Sequence, residues 1–358
     1  MVVGIHTDPH KGFTKMLERY ETILDFNNIE HIRLDVNKPD FWEKVKKIDL
    51  FVFHYYGTER QIMMAQTILP IIEDVLGIPC YPNPKMCWLY DDKVREYYFL
   101  SQHDLPAIPS WIFWDKTEAL NWLRDAKLPV VFKLSGGAGS VNVVLVKNKL
   151  YAKRLINKMF GTGIISGHLP GFASLKWRNL LTKEHLKKLG GKIKRRLRGE
   201  QGNPFEQRHR NYILFQKFLP NEIDSRIHVF GNRAFGDVRF VRPNDFRASG
   251  SGRFTSDPDR IDRRCINIAF DISKKFGFTS MAFDFLYNEN NEPLISEMSY
   301  TQPDDGVWMY PGFWDDQLNW HKGHFWPQYM VMKDMLNITD LKQPAMEAKM
   351  DPHWIDVK

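Results

Sequence analysis

Short apolar runs and amphipathic stretches alternate along the first eighty residues. In chain order the pattern predicts a strand at 1–5, a helix at 13–27, a strand at 30–35, a helix at 40–47, a strand at 49–54 and a helix at 60–76. Strands that alternate with helices are typical of βαβ units, in which the strands form a parallel sheet. We therefore predict an N-terminal α/β domain over residues 1–84, which ends at the break Pro82-Asn83-Pro84.

A second domain is predicted over residues 85–210, and its last part differs from the rest. Its elements are a helix near 85–102, a strand at 110–114, a helix at 116–126, strands at 129–134 and 141–147, and a helix at 150–160. Residues 161–210 interrupt this pattern, because 176–198 contain ten Lys or Arg residues and one Glu. We interpret 161–210 as an inserted basic helical segment. A solvated helix face or an oligomer contact is the alternative explanation of its charge.

Strand patterns resume after the insertion and predict a third domain over residues 211–345. Strands at 212–218, 225–230 and 234–242 are followed by a loop at 243–257, a helix at 258–276 and a β-hairpin at 280–298. In the hairpin, apolar and polar residues alternate along 281–286 and 293–298, and an Asn- and Glu-rich turn separates the two runs. Residues 346–358 have the composition of a polar tail.

Composition and charge restrict the class of protein. The 358 residues are 43% hydrophobic and 14% aromatic, which is enough for a sizeable core. The net charge of +7 is compatible with an anionic partner. No nucleic-acid-binding motif accompanies this charge, so we expect no specific nucleic acid among the partners.

Cysteine usage and hydropathy bear on the compartment. The three cysteines are odd in number and lack metal-type spacing, which favours a reducing compartment over a disulfide framework. No apolar run approaches ~18 residues, and the N-terminus lacks the profile of a signal peptide. We therefore expect a cytoplasmic protein without a transmembrane segment.

Each strand of the predicted hairpin carries one acid in apolar surroundings, Asp284 and Glu297. Burying an acid is costly unless it is paired or bound to a metal, and two carboxylates across a hairpin repel each other. A divalent cation between them removes this conflict. Oxygen ligands suit Mg²⁺, which takes one or two carboxylates and fills its other sites with water and phosphate. The two residues alone leave open that both acids are solvated.

A glycine-rich turn follows the predicted strand at 129–134. Glycines let backbone N–H groups approach an anion closely, and a lysine at the strand end adds a positive charge, so the turn fits a phosphate cradle. The segment is no Walker motif, because its lysine precedes the glycines and a strand follows, and it is no dinucleotide fingerprint. A glycine-rich hairpin with a surface lysine is the alternative. The candidate phosphate-binding residues are Lys133, Ser135, Gly136, Gly137, Gly139 and Ser140.

The apolar strand after the insertion ends in the polar pair Gln216 and Lys217, shortly before Leu219. The backbone at such a strand end offers donors and acceptors to an adenine edge. An acid, Glu222 or Asp224, follows at a distance suited to ribose hydroxyls. A buried strand with an ordinary surface turn is the alternative.

Taken in chain order, these pieces resemble the ATP-grasp superfamily, and the resemblance covers roughly residues 1–300. The matching elements are Lys93 in Asp91-Asp92-Lys93, Lys133 before its glycine-rich turn, the strand end Gln216–Leu219, Asp224-Ser225-Arg226, and the pair Asp284 and Glu297. The Asp-x-Arg motif, followed by a strand and then Asp245-Phe246-Arg247, is similar to the glutamate-ligase-like carboxylate–amine ligases. The resemblance implies an α/β fold with an N-terminal pre-ATP-grasp domain and two α+β lobes, 85–210 and 211–345, that clamp ATP.

The resemblance also implies a role for each matching residue. Lys93 and Lys133 would contact ATP phosphates under the 135–140 turn, and Gln216, Lys217 and Leu219 would hold adenine. Asp224, with Glu222 as competitor, would face the ribose, and Asp284 and Glu297 would bind Mg²⁺. Arg239 and Arg247 would face the γ-phosphate or an acyl phosphate. The implied catalytic residues are therefore Arg239, Arg247 and Lys133. The implied cofactors are ATP and one or two Mg²⁺ ions, for which Mn²⁺ can substitute.

One position departs from the pattern of the superfamily. The second metal carboxylate is usually followed two residues later by an Asn that ligates Mg²⁺, and here that position is Ser299. A hydroxyl holds a metal or a metal-bound water more weakly than an amide oxygen. We therefore expect a weaker second metal site.

The implied reaction has two steps. A carboxylate attacks the γ-phosphate of ATP to give an acyl phosphate and ADP, and an amine then displaces phosphate to leave an amide. Positioning and charge neutralisation are the main tasks of such a protein, so no dedicated nucleophile is required. Three alternatives stay open: an amino-acid or peptide ligase, an ATP-dependent small-molecule kinase, and a nucleotide-binding module without catalysis.

Two segments bear on the substrate. Residues 300–316 follow the hairpin and are rich in aromatics, Gly and acids, which suits a sugar ring or a cationic amine. They are also similar to the corresponding segment of ATP-grasp proteins of cell-surface polysaccharide synthesis. Our preferred carboxylate is a uronic acid of a surface polysaccharide or its precursor, with C-terminal core packing as the alternative role of the segment. The basic run 176–198 fits an anionic carrier or a lipid-linked substrate.

Overall fold

The structure is a computed structural model of the chain. It describes residues 1–7, 14–55, 57–137, 142–167, 207–243, 245–301, 303–349 and 355–356. The predicted basic run 176–198 and two residues of the predicted phosphate cradle, Gly139 and Ser140, lie outside the described residues.

Ten α-helices are described. In chain order they are α1 (Thr14–Phe26), α2 (Phe41–Val45), α3 (Glu59–Pro70), α4 (Pro84–Leu89), α5 (Lys93–Gln102), α6 (Lys116–Asp125), α7 (Lys149–Met159), α8 (Arg263–Phe276), α9 (Asp304–Trp308) and α10 (Pro327–Met335). A π-helical turn, Ile71–Val75, extends α3, and a 3₁₀ turn, Pro258–Arg260, precedes α8.

Eighteen β-strands are described. In chain order they are β1 (Val2–His6), β2 (Glu30–Leu34), β3 (Leu50–Val52), β4 (Cys80–Tyr81), β5 (Ser110–Phe113), β6 (Val130–Lys133), β7 (Val143–Val146), β8 (Ile164–Ile165), β9 (Arg208–His209), β10 (Ile213–Lys217), β11 (Ile223–Phe230), β12 (Arg233–Phe240), β13 (Arg253–Thr255), β14 (Ser280–Tyr287), β15 (Pro293–Ser299), β16 (Gly312–Asp315), β17 (Trp320–Lys322) and β18 (Ile355–Asp356).

The chain divides into two compact units. The first consists of Met1–Tyr56, Gln61–Ala107 and Leu219–Lys358, and the second of Gly57–Arg60 and Ile108–Phe218. These limits are not the boundaries that we predicted at residues 84 and 210, since residues 85–107 group with the N-terminal residues. The division into three domains and a tail stays a prediction.

The N-terminal part of the first unit contains a parallel sheet, as the alternation of strands and helices predicts. Its strand order is β2-β1-β3-β4, and every pairing in it is parallel. Val3, Ile5 and Phe51 on the central strands are completely buried. Continuous apolar runs of this kind are typical of parallel strands that are covered on both faces.

The first unit also contains a large sheet in the order β15-β14-β11-β12-β13-β18, with β16 and β17 attached at β12. The predicted loop at 243–257 contributes β13, and the predicted tail contributes β18. Helix α8 begins at Arg263 instead of 258, because the Asp262 side chain caps its first turn by accepting from Arg264 N at 2.9 Å. It ends at Phe276 and is capped by Gly277, whose φ of 69° suits a left-handed cap.

The predicted hairpin is confirmed as β14 and β15, and it contains one irregularity. Asp284 pairs with Glu297, but the next pair is Phe285 with Ile295, so Ser296 is an extra residue in β15. Such a β-bulge leaves one residue of the strand unpaired. Because of the bulge, Asp284 and Glu297 lie directly opposite each other and point to the same side of the sheet.

The second unit is built on an antiparallel sheet in the order β5-β10-β6-β7, and a two-stranded sheet pairs β8 with β9. Helix α6 covers one face of the larger sheet, where Trp122 stacks on Phe215 at 5.0 Å between ring centroids. Among the helices that the structure describes, none combines the length and the apolar character that a membrane crossing requires.

Candidate functional site

One face of the large sheet carries a row of ionisable side chains. Arg226 on β11 lies opposite both Asp237 on β12 and Asp284 on β14, and Asp284 lies opposite Glu297 on β15. Directly opposed residues share one side of a sheet, so four neighbouring strands contribute to this row. We call Asp237, Arg226, Asp284 and Glu297 the charged row.

Asp284, predicted to bind a metal, is held by two arginines. Arg226 donates from Nε to Asp284 Oδ1 at 2.5 Å and from Nη2 to Oδ2 at 2.7 Å, and Arg239 Nη2 also donates to Oδ2 at 2.7 Å. Burial alone would raise the pKa of Asp284, which is 5% exposed. The two guanidinium groups outweigh burial and hold the pKa of Asp284 well below its usual range. Asp284 is therefore an ionised carboxylate, which is the form that ligates Mg²⁺.

Arg239 and Asp224 form a second buried ion pair beside the charged row. Arg239 donates from Nε to Asp224 Oδ1 at 2.6 Å and from Nη2 to Oδ2 at 2.7 Å. Burial raises the pKa of Asp224 to about 6 against the opposing effect of Arg239. Both oxygens of Asp224 are engaged by Arg239, whereas its competitor for the ribose, Glu222, is exposed. Both assignments stay predictions.

Glu297 is paired with Lys93, the lysine predicted to contact ATP phosphates. Lys93 Nζ lies 3.3 Å from Glu297 Oε1 and 3.9 Å from Asp91 Oδ1. Burial by itself lowers the pKa of Lys93. The opposing effect of Glu297, Asp91 and Glu96 together is larger, so the pKa is raised and the ammonium stays charged. Glu96 is buried on the same helix and accepts a hydrogen bond from Met298 N at 2.9 Å, which ties α5 to β15.

Asp284 and Glu297 of the charged row have the oxygen chemistry of ligands to a divalent cation. Asp284 and Glu297 face each other across β14 and β15, and each is at present neutralised by a cationic side chain. Ser299 Oγ donates to Thr301 O at 2.8 Å, so its proton is used locally while its lone pairs are retained. In the parts of the chain that the structure describes, no group of three or more His, Cys, Asp or Glu side chains is placed to hold a metal ion by itself. Two carboxylates are a usual set for Mg²⁺, which takes its other ligands from water and phosphate.

Arg247, predicted to face a transferring phosphate, is paired within its own loop. It donates to Asp245 from Nε at 2.9 Å and from Nη2 at 2.6 Å. The hydrogen bond from Arg247 lowers the pKa of Asp245. A bidentate arginine is also suited to phosphate, so Arg247 would have to exchange one anion for another.

The predicted phosphate cradle in the second unit is held at its base by a hydrogen-bond network. Ser135 N donates to Tyr212 Oη at 2.7 Å, and Asn142 Nδ2 donates to Gly136 O at 2.7 Å. Gly137 has a φ of 107°, and a Cβ on it would lie 2.1 Å from Asn142 Nδ2. Only glycine fits this position, which explains the glycine-rich turn in local terms. Its role towards phosphate stays a prediction.

The sheet of the second unit separates the predicted nucleotide residues by face. Lys133 pairs with Leu214, and Gln216 lies two residues further along β10, so Lys133 and Gln216 share one face. Lys217 shares the opposite face with Phe215, where it lines a cleft of about 590 Å³ with Trp111 and other residues near α6. The side chain of Lys217 points away from the face of Lys133 and Gln216. The adenine contact predicted for Lys217 would therefore be made by its backbone.

Three aromatic side chains of the segment 300–316 lie in the interior. Tyr300 is completely buried, and Tyr310 and Trp314 are 5% and 1% exposed. Trp308 stacks on the buried Trp326 at 4.7 Å between ring centroids. Core packing, the alternative that the sequence leaves open, accounts for these side chains better than an exposed sugar platform does.

Sequence reasoning missed several residues of the site. Arg226 belongs to the Asp-x-Arg motif, but the sequence does not predict that it pairs with Asp284. Asp237 and Tyr310 are not among the candidate residues from the sequence. Tyr310 Oη donates to Asp237 Oδ2 and lies 3.0 Å from His228 Nε2. The alternation of β12 places Asp237 two residues before Arg239, and this spacing could have indicated a shared face.

No family model matches the chain. Phosphoribosylamine–glycine ligase of Allochromatium vinosum is 31% identical over 88 residues, which are 24% of this chain and 21% of that protein. The chain thus matches only 21% of the length of this relative.

Two solved structures share the fold. N5-carboxyaminoimidazole ribonucleotide synthetase from Thermotoga maritima has a TM-score of 0.54 and 13% identity, over 98% of this chain and 78% of that chain. The biotin carboxylase domain of the 2-oxoglutarate carboxylase of Hydrogenobacter thermophilus, in complex with MgADP, ADP and bicarbonate, has a TM-score of 0.53 and 13% identity, over 92% of this chain and 68% of that chain.

The chain therefore has the ATP-grasp fold. This confirms the fold that the order of the motifs predicts, including the mixed α/β architecture. At such low identity the likeness shows the fold alone, and the activity is argued below from the site.

Proposed function

We propose that the protein is an ATP- and Mg²⁺-dependent carboxylate–amine ligase that forms an amide through an acyl phosphate. The observation that carries this proposal is the charged row within an ATP-grasp fold. It brings two carboxylates face to face, with Arg226, Arg239 and Lys93 beside them. This arrangement supports the transfer of a phosphoryl group, which needs positioning and neutralised charge more than it needs a nucleophile.

The acidic and the basic residues would have different roles. Asp284 and Glu297 would hold Mg²⁺, which when bound neutralises charge on the phosphates. Arg239 and Arg247 would stabilise the charge that develops as the γ-phosphoryl group moves to the carboxylate, and Lys93 and Lys133 would bind ATP phosphates. The carbonyl–oxygen bond of the acyl phosphate then breaks as the amine attacks, with orthophosphate as the leaving group.

The nature of the carboxylate is the finer part of the proposal. A uronic acid, our preferred substrate from the sequence, loses the support of an exposed aromatic platform, because Tyr300, Tyr310 and Trp314 are buried. Amino acids therefore stand beside uronic acids as the first carboxylates to test.

The test is a matrix of carboxylates and amines with Mg²⁺ and ATP. Glucuronate, galacturonate and the twenty amino acids serve as carboxylates, and glucosamine and the amino acids serve as amines. A ligase releases ADP and orthophosphate only when both partners are present, and hydroxylamine in place of the amine captures the acyl phosphate as a hydroxamate. A stable phosphorylated product without any amine would instead identify a kinase.

A binding experiment separates the remaining alternative. A nucleotide-binding module would bind ATP with Mg²⁺ yet release no ADP with any pair in the matrix. Isothermal titration with a non-hydrolysable ATP analogue therefore accompanies the matrix, since it reports binding whether or not turnover occurs.

A further inference from the structure

The arrangement of the charged row poses a problem for metal binding. Both oxygens of Asp284 already accept from arginines, and a positively charged guanidinium opposes the approach of a second cation. Arg239 has Asp224 as a second carboxylate, so it stays paired if it leaves Asp284. Among the described residues, Arg226 hydrogen-bonds to no side chain other than Asp284. A metal at Asp284 thus requires a new anionic partner for Arg226.

Asp237 is the group that the sheet offers to Arg226. It lies directly opposite Arg226 on β12, on the other side from Asp284, and it is 7% exposed. Its Oδ2 accepts from Tyr310 Oη, which fixes the orientation of the carboxylate. Its Oδ1 is buried and has no hydrogen-bond partner in the part of the chain that the structure describes. A buried acceptor without a donor is costly, so this oxygen requires a further reason to be there.

We infer that Asp237 is a positioning residue that takes over Arg226 when Asp284 binds Mg²⁺. Direct neighbours across two strands have Cβ atoms ~4.5–5.5 Å apart, so an arginine on the central strand reaches either side by a change of rotamer. In the structure Arg226 neutralises Asp284, and with the metal bound it would neutralise Asp237 instead. In both states the buried guanidinium of Arg226 has a carboxylate partner.

This inference rests on the metal site of the proposed function, and it makes a specific claim about Asp237. Tyr310 keeps its hydroxyl proton, since burial and Asp237 both raise its pKa. Tyr310 therefore remains a donor to Oδ2, and Oδ1 remains the oxygen that is available to the guanidinium.

The test measures metal affinity directly. Mn²⁺ is titrated into the full chain saturated with ADP, and free Mn²⁺ is followed by electron paramagnetic resonance. Asp237→Asn keeps the shape of the side chain but loses its charge, so Mn²⁺ should bind on the order of 10-fold more weakly. Affinity for metal-free ADP should be unchanged, and Asp237→Glu should restore part of the metal affinity.

Two controls separate positioning from general structural damage. Asp334→Asn removes an acid outside the charged row, which pairs with Arg233 of β12 at 3.0 Å. This variant should leave Mn²⁺ affinity unchanged. In an Arg226→Gln background, Asp237→Asn should have no further effect, because no guanidinium remains to be held. An equal loss of affinity in both backgrounds would overturn the inference, as would wild-type affinity in Asp237→Asn.

The outcome also distinguishes this inference from the proposed function. If the wild type binds no Mn²⁺ with ADP, the metal site and the inference both fall. If Asp237→Asn weakens Mn²⁺ binding but no carboxylate–amine pair yields an amide, the inference stands and the ligase proposal fails. If an amide forms and Asp237→Asn binds Mn²⁺ normally, only the inference fails.

Discussion

The two faces of the large sheet are made from the same strands but depend on different physics. Ile227, Phe283 and Phe285 point to one face and form a common buried core with Ile266 of α8. Arg226 and Asp284, their neighbours in the chain, point to the other face and form the charged row with Asp237 and Glu297. On the first face stability follows from buried apolar area, which is non-directional. On the second face it follows from pairing each charge with a specific opposite charge.

The difference teaches which substitutions each face tolerates. A hydrophobic core accepts swaps of similar volume at a cost below about 1.5 kcal/mol. A buried ion pair does not accept an isosteric neutral residue, because the remaining partner stays charged and buried. A substitution that keeps the shape of the side chain is therefore tolerated on the apolar face and destabilising on the charged face. Mutagenesis can test this difference.

Asp284→Asn should have the largest effect, because it acts on both folding and activity. It removes the carboxylate that Arg226 and Arg239 share, so part of the about 3–5 kcal/mol of a broken buried ion pair is lost even where Asp237 takes over Arg226, and it removes a metal ligand. We expect loss of ATP turnover in the substrate matrix and a lower free energy of unfolding in urea. Asp271→Asn, an exposed acid on α8, is the control. Turnover near the wild-type rate would remove Asp284 from the metal site.

Phe283→Ala should affect the apolar face alone. Phe283 is completely buried, and removal of such a side chain costs ~3–5 kcal/mol through lost burial and the cavity left behind. We expect a lower midpoint of urea unfolding, together with normal Mn²⁺ affinity in the folded protein. Phe283→Leu should lose much less stability. If Phe283→Ala weakened metal binding as strongly as Asp284→Asn does, the two faces would not be independent.

His54 offers a pH test of a buried group whose pKa is set mainly by burial, with a smaller opposing effect of Asp304. It lies between Tyr20 and Thr301, with its ring nitrogens 3.0 and 2.7 Å from their hydroxyls, and burial lowers its pKa from 6.5 to about 4. Because the folded-state pKa is depressed, the stability that this group contributes is present above pH 6.5 and is lost as the pH falls towards 4.

The expected loss over this pH range is about 3 kcal/mol at most, measured as the free energy of unfolding at a series of pH values. His54→Gln cannot gain a proton on this side chain, so its stability should decline less steeply over the same range. Parallel declines for both proteins would show that His54 does not titrate in the folded state.

Lys133→Ala should give the smallest effect and extends the comparison to the second unit. There Phe132 faces the helix layer and Lys133 faces the opposite side of the sheet. Loss of one charge-assisted contact should weaken binding of an ATP analogue by about 1.5–3 kcal/mol, with little change in unfolding. Lys147→Ala, an exposed lysine after β7, is the control. An unchanged affinity would exclude Lys133 from phosphate binding.

Local patterns predict much of this fold. The alternation of strands and helices indicates the parallel sheet, and the alternation within 280–298 indicates the hairpin and the pairing of its two acids. These features depend on residues near in sequence, where periodicity is informative. Asp237 escaped notice because its significance arises from its position opposite Arg226, eleven residues away on another strand. The register of this hairpin is set by the turn between β11 and β12, and the sequence pattern starts the second strand at 234 whereas the structure starts it at Arg233, a shift that hides the pair.

The arginines show a second limit of sequence reasoning. Arg239 and Arg247 attract attention as phosphate-binding candidates, but their pairing with Asp224 and Asp245 appears only in the structure. The aromatic residues of 300–316 suggest a ligand site, whereas several of them pack in the core. Cores and ligand sites favour the same residue types. Composition therefore predicts that a site exists more readily than it predicts which side chains are available to a ligand.

The bulge at Ser296 keeps the two acids of the hairpin on one face. Side chains alternate with a period of two, so a regular pairing of Ser296 with Asp284, without the bulge, would leave the strand beyond it one step out of phase. Glu297 would then turn towards the apolar core and Met298 towards the arginines. Length variants of the 288–292 turn have no such effect when they leave the paired strands intact. Among related chains, variation in length should therefore concentrate in the turn, while the spacing from the bulge to Glu297 is preserved.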